Sequence, residues 1–422
     1  MRYLFIVDDM HSANGICINS VKSELLKRGH QVFILTSYNC TLSDNTIQTL
    51  NPPFFKKCEI IANNTTFKIN RAIFSFISGF IVRLFCLVHL KSFPWITPTY
   101  TKHMYTVAKS IVLNQNIDFV IPVYSRIDSL IVAFLLKKTM NIPYYAYFLD
   151  PLEAGHWPKY LENKRMELGS KWEEMIISIS EGSIFMSSTK TYYQSFTCTR
   201  LYLQKVIFLG LPLYSFMEKP HTCATNEIRI KNWILYAGSL PLKVRPVDYL
   251  FQLFNKEFPL NVEVNLIGNC SNEKILQKKI TKDSLITYRR QVSKEMIDEY
   301  YLKADILLSL GNNNNWMIPS KIFEYMSFGK PIIHLALTDL DPCINYLDQY
   351  PMSLVLIKEK QPLCSDRSSL ANFIMKFSGK TTSEDLCEKF YFNTPMAVVD
   401  YLENTDFYAG KFSLSNYNFP NE

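Results

Sequence analysis

The sequence predicts an α/β protein made of two domains, each with a doubly wound parallel sheet. At 422 residues the chain is too long for one ordinary core, which favours two domains. A strand, a turn with glycine, a helix and a second strand follow one another within residues 3–36, as in a parallel βαβ unit. The same alternation starts again near residue 233. We therefore expect two Rossmann-like domains with the active cleft between them.

Composition argues against several other classes of protein. The chain is 48% hydrophobic and 20% charged, which is typical of a globular protein rather than a disordered one. Its ten cysteines show no C-x-x-C spacing, and its seven histidines form no H-E-x-x-H pattern. This predicts reduced thiols in a cytoplasmic protein and no metal site. The N-terminal apolar run is short and ends at two aspartates, so it is not a secretory signal.

The positive charge is concentrated in residues 54–110. This range holds eight Lys and Arg against one acid, a balance of 8 − 1 = +7 that equals the formal net charge of the whole chain. Within it, residues 72–90 are the most hydrophobic stretch, interrupted by Arg83. A buried helix, a helix lying in the membrane interface and a membrane span all remain open, although a central Arg disfavours the span. The flanking cations favour contact with anionic lipid headgroups, or else form a solvated face.

Strand and helix signals divide the first half of the chain from the second. We predict an N-terminal domain over 1–210, a linker over 211–232, a second domain over 233–380 and helices within 381–422. Residues 50–70 are predicted to be irregular. The predicted strands are 3–7, 31–36, 118–122, 143–149, 183–187, 206–208, 233–237, 262–267, 285–288, 305–310, 332–335 and 353–357. The predicted helices include 16–28, 129–137, 189–196, 247–254, 294–302, 319–328, 366–377 and 383–403.

The helix predicted at 319–328 carries the most informative residues. Pro319 suits a first helical turn, and Gly329 suits the left-handed residue that ends a helix. The helix start follows an Asn-rich loop, so its free N–H groups, with Ser320 and Lys321, form an anion site. Glu324 lies one turn further on the same face, where a pair of hydroxyls such as those of a ribose suits it. Together they describe a nucleoside diphosphate site, unless the segment is an ordinary crossover helix.

The motif Pro-Ser-Lys-x-x-Glu-Tyr-Met-x-x-Gly-Lys-Pro-Ile-Ile at 319–333 resembles the donor-site signature of GT-B glycosyltransferases, especially family 4 and its relatives in bacterial surface-polysaccharide synthesis. The resemblance implies transfer of a sugar from a UDP- or GDP-linked donor to an acceptor hydroxyl, with Glu324 on the ribose and no further cofactor. It also implies that helices in 381–422 cross back to the first domain. Many family members carry a second Glu eight positions earlier, where this chain has Trp316. The sugar and the stereochemical class therefore stay open.

The resemblance also implies donor contacts elsewhere in the second domain. Gly238 and Ser239 match a Gly-rich turn, and Lys243 or Arg245 would supply the cation that clamps the diphosphate. Such cations suit a leaving group whose charge grows as its bond breaks, and they could replace a metal. The alternative is a pair of solvent-facing loop cations. The backbone of 290–292 would face the nucleobase.

In the first domain the resemblance singles out two loops. Asn14 and Gly15 follow the first strand, in the loop that faces the donor phosphates in the family, where many members have Gly-Gly. Asp150 ends the strand 143–149 in the manner of the family's "LDP" sequence, at the edge where parallel sheets place their chemistry. Asp150 is therefore the candidate catalytic residue, and His156 is a weaker candidate in the same loop. Alternatively, Asp150 only caps the segment after Pro151.

Three other functions compete with a transferase. A nucleotide-sugar 2-epimerase of the same fold needs further acids and bases in the cleft and no membrane-facing surface. A catalytically silent relative that binds a sugar nucleotide is favoured by the missing first Glu. A dinucleotide-dependent dehydrogenase is disfavoured because the first βαβ unit lacks G-x-G-x-x-G. The expected acceptor is a glycan or a lipid-linked sugar, met at the inner face of the cell membrane, and no nucleic acid is expected.

Overall fold

The structure is a computed structural model of the chain, and it divides into two compact units. The first consists of Met1–Pro212 and the segment from Pro395 onward, and the second is Leu213–Thr394. The structure describes residues 1–10, 12–37, 46–64, 68–154, 157–196, 199–215, 231–281, 284–313, 318–382 and 386–403. Most of the predicted linker, 216–230, lies outside these ranges.

The first unit contains a parallel sheet whose described strands run in the order β3-β2-β1-β4-β5-β6-β7. Its interior strands are buried over nearly every residue, because helices cover both faces of the sheet. The strands are β1 Arg2–Val7, β2 Gln31–Thr36, β3 Ile47–Thr49, β4 Phe119–Tyr124, β5 Tyr145–Phe148, β6 Gly182–Met186 and β7 Val206–Leu209. The helices are α1 Ala13–Lys27, α2 Phe54–Asn64, α3 Lys68–Val88, α4 Pro98–Gln115, α5 Ile127–Met140, α6 Arg165–Ser178 and α7 Lys190–Gln194.

The second unit repeats this arrangement with described strands in the order β10-β9-β8-β11-β12-β13, again all parallel. The strands are β8 Asn232–Ala237, β9 Val262–Ile267, β10 Ile286–Arg289, β11 Ile306–Leu310, β12 Ile332–Ala336 and β13 Ser353–Ile357. The helices are α8 Asp248–Leu253, α9 Glu273–Lys279, α10 Lys294–Lys303, α11 Lys321–Ser327, α12 Ile344–Leu347 and α13 Leu363–Phe377. The prediction of two doubly wound parallel sheets is confirmed.

A last helix, α14 at Pro395–Glu403, belongs to the first unit and packs on α1. Arg28, just after α1, donates hydrogen bonds to Asp400 at 2.6 Å and to Glu403 at 2.7 Å. His30 contacts the second Glu403 oxygen at 2.6 Å. Although burial opposes it, these contacts with His30 and Arg28 lower the pKa of Glu403. Because both acids lie near the end of α14, the ion pairs fix where that helix docks.

Two predictions about helices are wrong. Residues 50–70 are not irregular, because α2 occupies 54–64 and buries Phe55, Cys58 and Ala62, which recur at helical spacing. The predicted helix 383–403 is instead, within the described residues, a short 3₁₀ turn followed by α14. Pro395 opens α14 because proline fits a first helical turn but not a helix interior.

The hydrophobic stretch 72–90 forms most of α3 and the turn after it. Its buried side includes Cys86, which packs in a small apolar cluster with Phe93 and Leu161. Its opposite side exposes several large apolar side chains, so α3 is not the fully buried helix that was one of the options. No helix among the described residues is both long and apolar enough to cross a membrane.

Candidate functional site

The order of the strands in the second sheet reverses between β8 and β11, which pair with each other in parallel. In parallel α/β sheets ligands bind at such a switch point, beyond the carboxyl ends of the strands. Gly238 and Ser239 follow β8 directly, and Gly311 and Asn312 follow β11 directly. The predicted donor-binding turn and the Asn-rich loop therefore meet at this edge.

Arg245 is held in place by both of these loops. Its Nε donates to Asn312 Oδ1 at 2.7 Å, and its Nη1 donates to the Ser239 carbonyl at 3.1 Å. Nη1 also lies 3.2 Å from the hydroxyl of Tyr236, which itself donates to the Ser239 carbonyl at 2.7 Å. Asn312 is buried, so the guanidinium has a fixed platform. Sequence analysis did not single out Tyr236, because a tyrosine within a strand does not indicate that its hydroxyl contacts an arginine in the following loop.

Lys243, the other cation that the sequence left open, is placed differently. Its backbone carbonyl accepts from Asn313 Nδ2 at 2.7 Å, while its side chain is exposed. The neighbouring Val244 carbonyl accepts from the Asn313 N–H at 2.8 Å. Thus the loop holds the guanidinium of Arg245 at the switch point, whereas Lys243 is exposed.

A close approach of two glycines shapes the same edge. Gly268, at the end of β9, has φ +148°, and a Cβ added there would lie 1.9 Å from the Gly238 carbonyl oxygen. The Gly238 N–H donates to the Ile267 carbonyl at 2.9 Å. Only glycine at position 268 lets the two strand ends pass this closely. The turn at Gly238 consequently packs closely against the end of β9.

Helix α11 presents the predicted cation and acid side by side. Lys321 Nζ lies 2.5 Å from Glu324 Oε2, and the two side chains are 36% and 28% exposed. Glu324 is therefore not packed into apolar surroundings. Ser320 is half-buried and precedes the helix, and no capping hydrogen bond of its side chain occurs within the described residues. Gly329 has φ +62°, which confirms that a left-handed glycine follows the helix.

Tyr301 of α10 lies under this pair. The ammonium of Lys321 is 5.7 Å from the centre of the Tyr301 ring. The Tyr301 hydroxyl is buried and makes no hydrogen bond among the described residues. Burial, followed by the neighbouring Tyr325 and Glu324, raises the pKa of this phenol. Tyr301 was also missed in the sequence, where it looked like one more apolar-face residue of α10.

The predicted base-reading backbone at 290–292 lies in the loop after β10. Arg290 is largely exposed and donates to Glu273, with its Nη2 2.7 Å from the carboxylate. Gln291 accepts from Asn269 Nδ2 at 2.5 Å. These hydrogen bonds connect the loop to α9 and to the residues just after β9.

In the first unit, Asn14 and Gly15 lie in the first turn of α1 rather than in a loop before it. Asn14 Nδ2 donates to the carbonyl of Tyr124, the last residue of β4, at 3.1 Å. The Gly15 N–H donates to the Ser12 hydroxyl, which caps the helix. A Cβ on Gly15 would lie 2.3 Å from the backbone of Met10. Gly15 thus allows the loop after β1 to fold back onto the helix.

Asp150 is exposed and follows the end of β5. Burial, followed by the carboxylates of Asp150 and Glu173, raises the pKa of Tyr124, the residue whose carbonyl accepts from Asn14. Two residues further on, the N–H of Leu152 donates to Glu173 at 3.1 Å. A buried network therefore supports the turn that carries Asp150.

This network contains two buried carboxylates and one buried guanidinium. Glu173 accepts from the hydroxyls of Tyr193 at 2.7 Å and Tyr202 at 2.8 Å. Glu153 pairs with Arg200 at 2.8 Å. Burial raises the pKa of Glu173 to about 7, and the nearby Glu153 carboxylate adds to this, while the tyrosine and backbone hydrogen bonds oppose it.

Arg126, directly after β4, was not singled out in the sequence. Its Nη2 donates to Asp128 and to Thr97, each at 2.8 Å. Its guanidinium lies 5.2 Å from the ring centre of Phe55 and 5.5 Å from that of Tyr100. Arg126 therefore joins α2 and α4 to the carboxyl edge of the first sheet. The sequence offers no signal for it, because its partners come from three separate segments.

The remaining sequence candidates lie outside the described residues: His156, Trp316, Asn314 and Asn315. One group of potential metal ligands occurs within the described part of the chain, formed by His334, Asp341 and Cys343. All three are buried, and their ligand atoms lie within 4.8 Å of one another. The sequence analysis predicted no metal site, and the spacing of these three residues does not point to one.

Comparison with known proteins identifies the fold. Neither the protein-family models nor the curated proteins match this sequence. HepE of Anabaena in complex with UDP is 12% identical, with 96% of this chain and 99% of that one aligned and a TM-score of 0.59. Sucrose-phosphate synthase of Thermosynechococcus elongatus is 12% identical, with 98% and 100% aligned and a TM-score of 0.60. The lipopolysaccharide outer core galactosyltransferase WaaB is 12% identical, with 96% and 99% aligned and a TM-score of 0.53.

The chain has the GT-B fold over almost its full length, as the resemblance at 319–333 implied. At 12% identity the similarity shows the fold. The activity has to be argued from the residues.

Proposed function

We propose that this protein is a glycosyltransferase that moves a sugar from a nucleoside diphosphate sugar to an acceptor hydroxyl. The observation that carries the proposal is the placement of Arg245, Lys321 and Glu324 in one GT-B unit. The first is fixed at the switch point of the sheet, and the other two are paired and accessible on α11. In the donor complex Glu324 accepts hydrogen bonds from the ribose hydroxyls, and Lys321 leaves it for a phosphate.

The chemistry that follows is stabilisation of a leaving diphosphate. Arg245 is already oriented by Asn312 and Ser239, so it meets the growing negative charge without reorganisation. Lys321 and Ser320 bind the same group from the helix side, and Lys243 reaches it from solvent. These cations take the place of a metal in the proposal. Asp150 orients or deprotonates the acceptor hydroxyl, on the turn that Glu173 supports.

Nucleotide binding tests the donor site. UDP or GDP should raise the melting temperature of the protein, because a ligand that binds only the native state stabilises it. Glu324→Ala should remove most of that gain and weaken binding by roughly tenfold or more. Glu299→Ala is the matched control, since it removes a comparable Glu–Lys pair, at 3.3 Å, from α10 of the same unit. Equal protection of wild type and Glu324→Ala would remove Glu324 from the site.

Product analysis separates the transferase from its rivals. Slow release of diphosphate from a sugar nucleotide without acceptor supports a transferase, because water then takes the acceptor's place. Conversion of the donor to its 2-epimer supports the epimerase. Binding with neither reaction supports a catalytically silent protein.

We further propose that the acceptor is lipid-linked or part of a surface glycan and is met at the inner face of the cell membrane. The supporting surface, which we call the α3 apolar face, is defined by Ile73, Phe76, Phe80, Leu84 and Leu87. These residues follow one another at intervals of three and four, so they lie on one side of α3. Phe76 is 72% and Phe80 58% exposed. An exposed apolar stripe of this size marks an interaction surface.

Charge favours a membrane as the partner. Lys57, Arg83, Lys91, Lys102 and Lys109 are all exposed on or near α2, α3 and α4. An apolar helix face flanked by cations lies in the interface of a membrane with anionic headgroups. The α3 apolar face would thereby bring the first unit to an acceptor anchored in lipid.

Vesicle sedimentation tests this surface. The protein should bind phosphatidylcholine vesicles that contain phosphatidylglycerol, and less well those without it or in high salt. Replacing Phe76 and Phe80 by Ser should weaken binding by at least about tenfold, since each buried Phe contributes about 2 kcal/mol. Leu201→Ser is the control, because Leu201 is 72% exposed but lies outside α3. Equal loss in both variants would contradict the proposal.

A further inference from the structure

Next to Gly311, at the end of β11, lies a buried chain of hydrogen bonds that the sequence did not indicate. His334 is at the centre of β12 and is fully buried. One ring nitrogen, Nδ1, lies 2.9 Å from the hydroxyl of Ser309 on β11. The other, Nε2, lies 3.1 Å from Asp341 Oδ2 in the loop after β12. Burying three polar groups inside a parallel sheet is costly unless each is paired, as here.

Asp341 is held in one orientation. Its Oδ1 accepts from the Cys343 N–H at 2.9 Å. Although burial opposes it, the bonds from His334 and Cys343 lower the pKa of Asp341, so the group is a carboxylate. Burial, followed by the carboxylate of Asp341, raises the pKa of the Cys343 thiol, and the guanidinium of Arg245 opposes that shift.

The carboxylate of Asp341 packs directly against Gly311. A Cβ added to Gly311 would lie 2.3 Å from Asp341 Oδ2. The Gly311 N–H also donates to the Leu335 carbonyl at 2.9 Å. Ser309 and Gly311 flank Leu310, the last residue of β11, so the cluster contacts the strand end on both sides of Leu310, just before Asn312.

We propose that Asp341 and His334 are positioning residues for the diphosphate clamp. They fix the Gly311 turn, the turn fixes Asn312, and Asn312 fixes Arg245. The role in diphosphate binding rests on the proposed function. The positioning of Gly311, Asn312 and Arg245 does not, and it can be tested without a ligand. The same residues also form a set of potential metal ligands. We favour the positioning role because both imidazole nitrogens and both Asp341 oxygens already have partners.

The test compares three variants. Asp341→Ala removes the bonds to His334 and Cys343. Asp341→Asn keeps the shape and, with the other tautomer of His334, can keep the bonds. Asp366→Ala is the matched control, since Asp366 is also buried in this unit and pairs with the Tyr249 hydroxyl at 2.8 Å, but on α13.

Two readouts keep the two proposals apart. Hydrogen exchange of the peptide containing the Gly311 and Asn313 amides, without ligand, should speed up in Asp341→Ala and not in Asp366→Ala. The Kd for UDP should rise about tenfold in Asp341→Ala, stay near wild type in Asp366→Ala and recover in Asp341→Asn. If the wild type binds no nucleoside diphosphate, the proposed function fails while the exchange result still decides the positioning role. If hydrogen exchange of this peptide is the same in Asp341→Ala and Asp366→Ala, the positioning role is wrong.

A double-mutant cycle tests whether Asp341 acts through Gly311. Gly311→Ala should weaken UDP binding strongly in the wild type, because its Cβ meets the carboxylate, and less in the Asp341→Ala background, where that atom is gone. Additive effects would exclude a direct link. One equivalent of tightly bound metal in the purified protein, absent from Asp341→Ala, would assign the cluster to a metal and overturn the positioning role.

Discussion

Glu173→Gln should change how the stability of the first unit depends on pH. Glu173 is fully buried among two tyrosine hydroxyls and a backbone N–H, with Arg200 4.0 Å away and the carboxylate of Glu153 nearby. Its pKa rises from 4.5 to about 7, chiefly by burial. Gln has nearly the same shape but cannot ionise.

Whether stability rises or falls with pH follows from how many protons the folded and unfolded chains bind. Between the two pKa values the unfolded chain has lost the proton and the folded chain keeps it, so raising the pH favours unfolding. The stability conferred by the protonated acid is complete below the unfolded pKa and is lost as the pH rises through about 7. A shift of this size is worth about 3 kcal/mol. The stability of Glu173→Gln relative to wild type should therefore increase by up to about 3 kcal/mol from acid to mildly alkaline pH.

Urea unfolding measured by hydrogen exchange of α6 peptides, at several pH values, reports this unit rather than the whole chain. Glu174→Gln is the matched control, because it makes the same change at the next, exposed position of α6. If the stability difference between Glu173→Gln and wild type is flat with pH, as expected for Glu174→Gln, the assignment of a titrating buried acid is wrong.

Three further perturbations follow from the second sheet and from the docking of α14. Gly268→Ala should destabilise the second unit by more than about 2 kcal/mol. Gly238→Ala should destabilise it less, because the added Cβ would meet only the end of a tyrosine side chain, at 3.2 Å. Thermal melts of the two variants would show whether the free energies of unfolding differ in this way. Arg245→Ala should raise the Kd for UDP more than Lys243→Ala, because only the guanidinium is preorganised; equal effects in calorimetry would contradict this. Arg28→Met should expose the peptide around α14 to faster hydrogen exchange or proteolysis, because it removes the ion pairs of Arg28 with Asp400 and Glu403; unchanged protection would contradict the docking role.

The second sheet was predictable from the sequence almost residue by residue. Val262–Ile267 and Ser353–Ile357 are strands with the predicted bounds, because buried parallel strands are continuous apolar runs that end at turn residues. Gly329 was predictable for a similar reason, since a left-handed residue after a helix strongly favours glycine. Such features depend on local sequence, and local sequence is enough to find them.

Features that depend on distant segments were not predictable. The polar residues of α2 hid a helix that packs on α3 and whose Phe55 contacts Arg126, which is distant from it in the sequence. The guanidinium of Arg245 could not be preferred to Lys243, because its partners lie on β8 and after β11. The chain from Ser309 to Asp341 joins two strands and a loop, and a histidine inside an apolar strand gives no hint of it.

The return of α14 to the first unit has a consequence for synthesis in the cell. Ala397, Val398, Val399 and Leu402 are buried, so the rest of this unit leaves an apolar surface uncovered until the ribosome has made them. By then the whole second unit has already been translated, and domains generally fold as units. The unit whose translation begins first is consequently the one whose apolar surface is covered last.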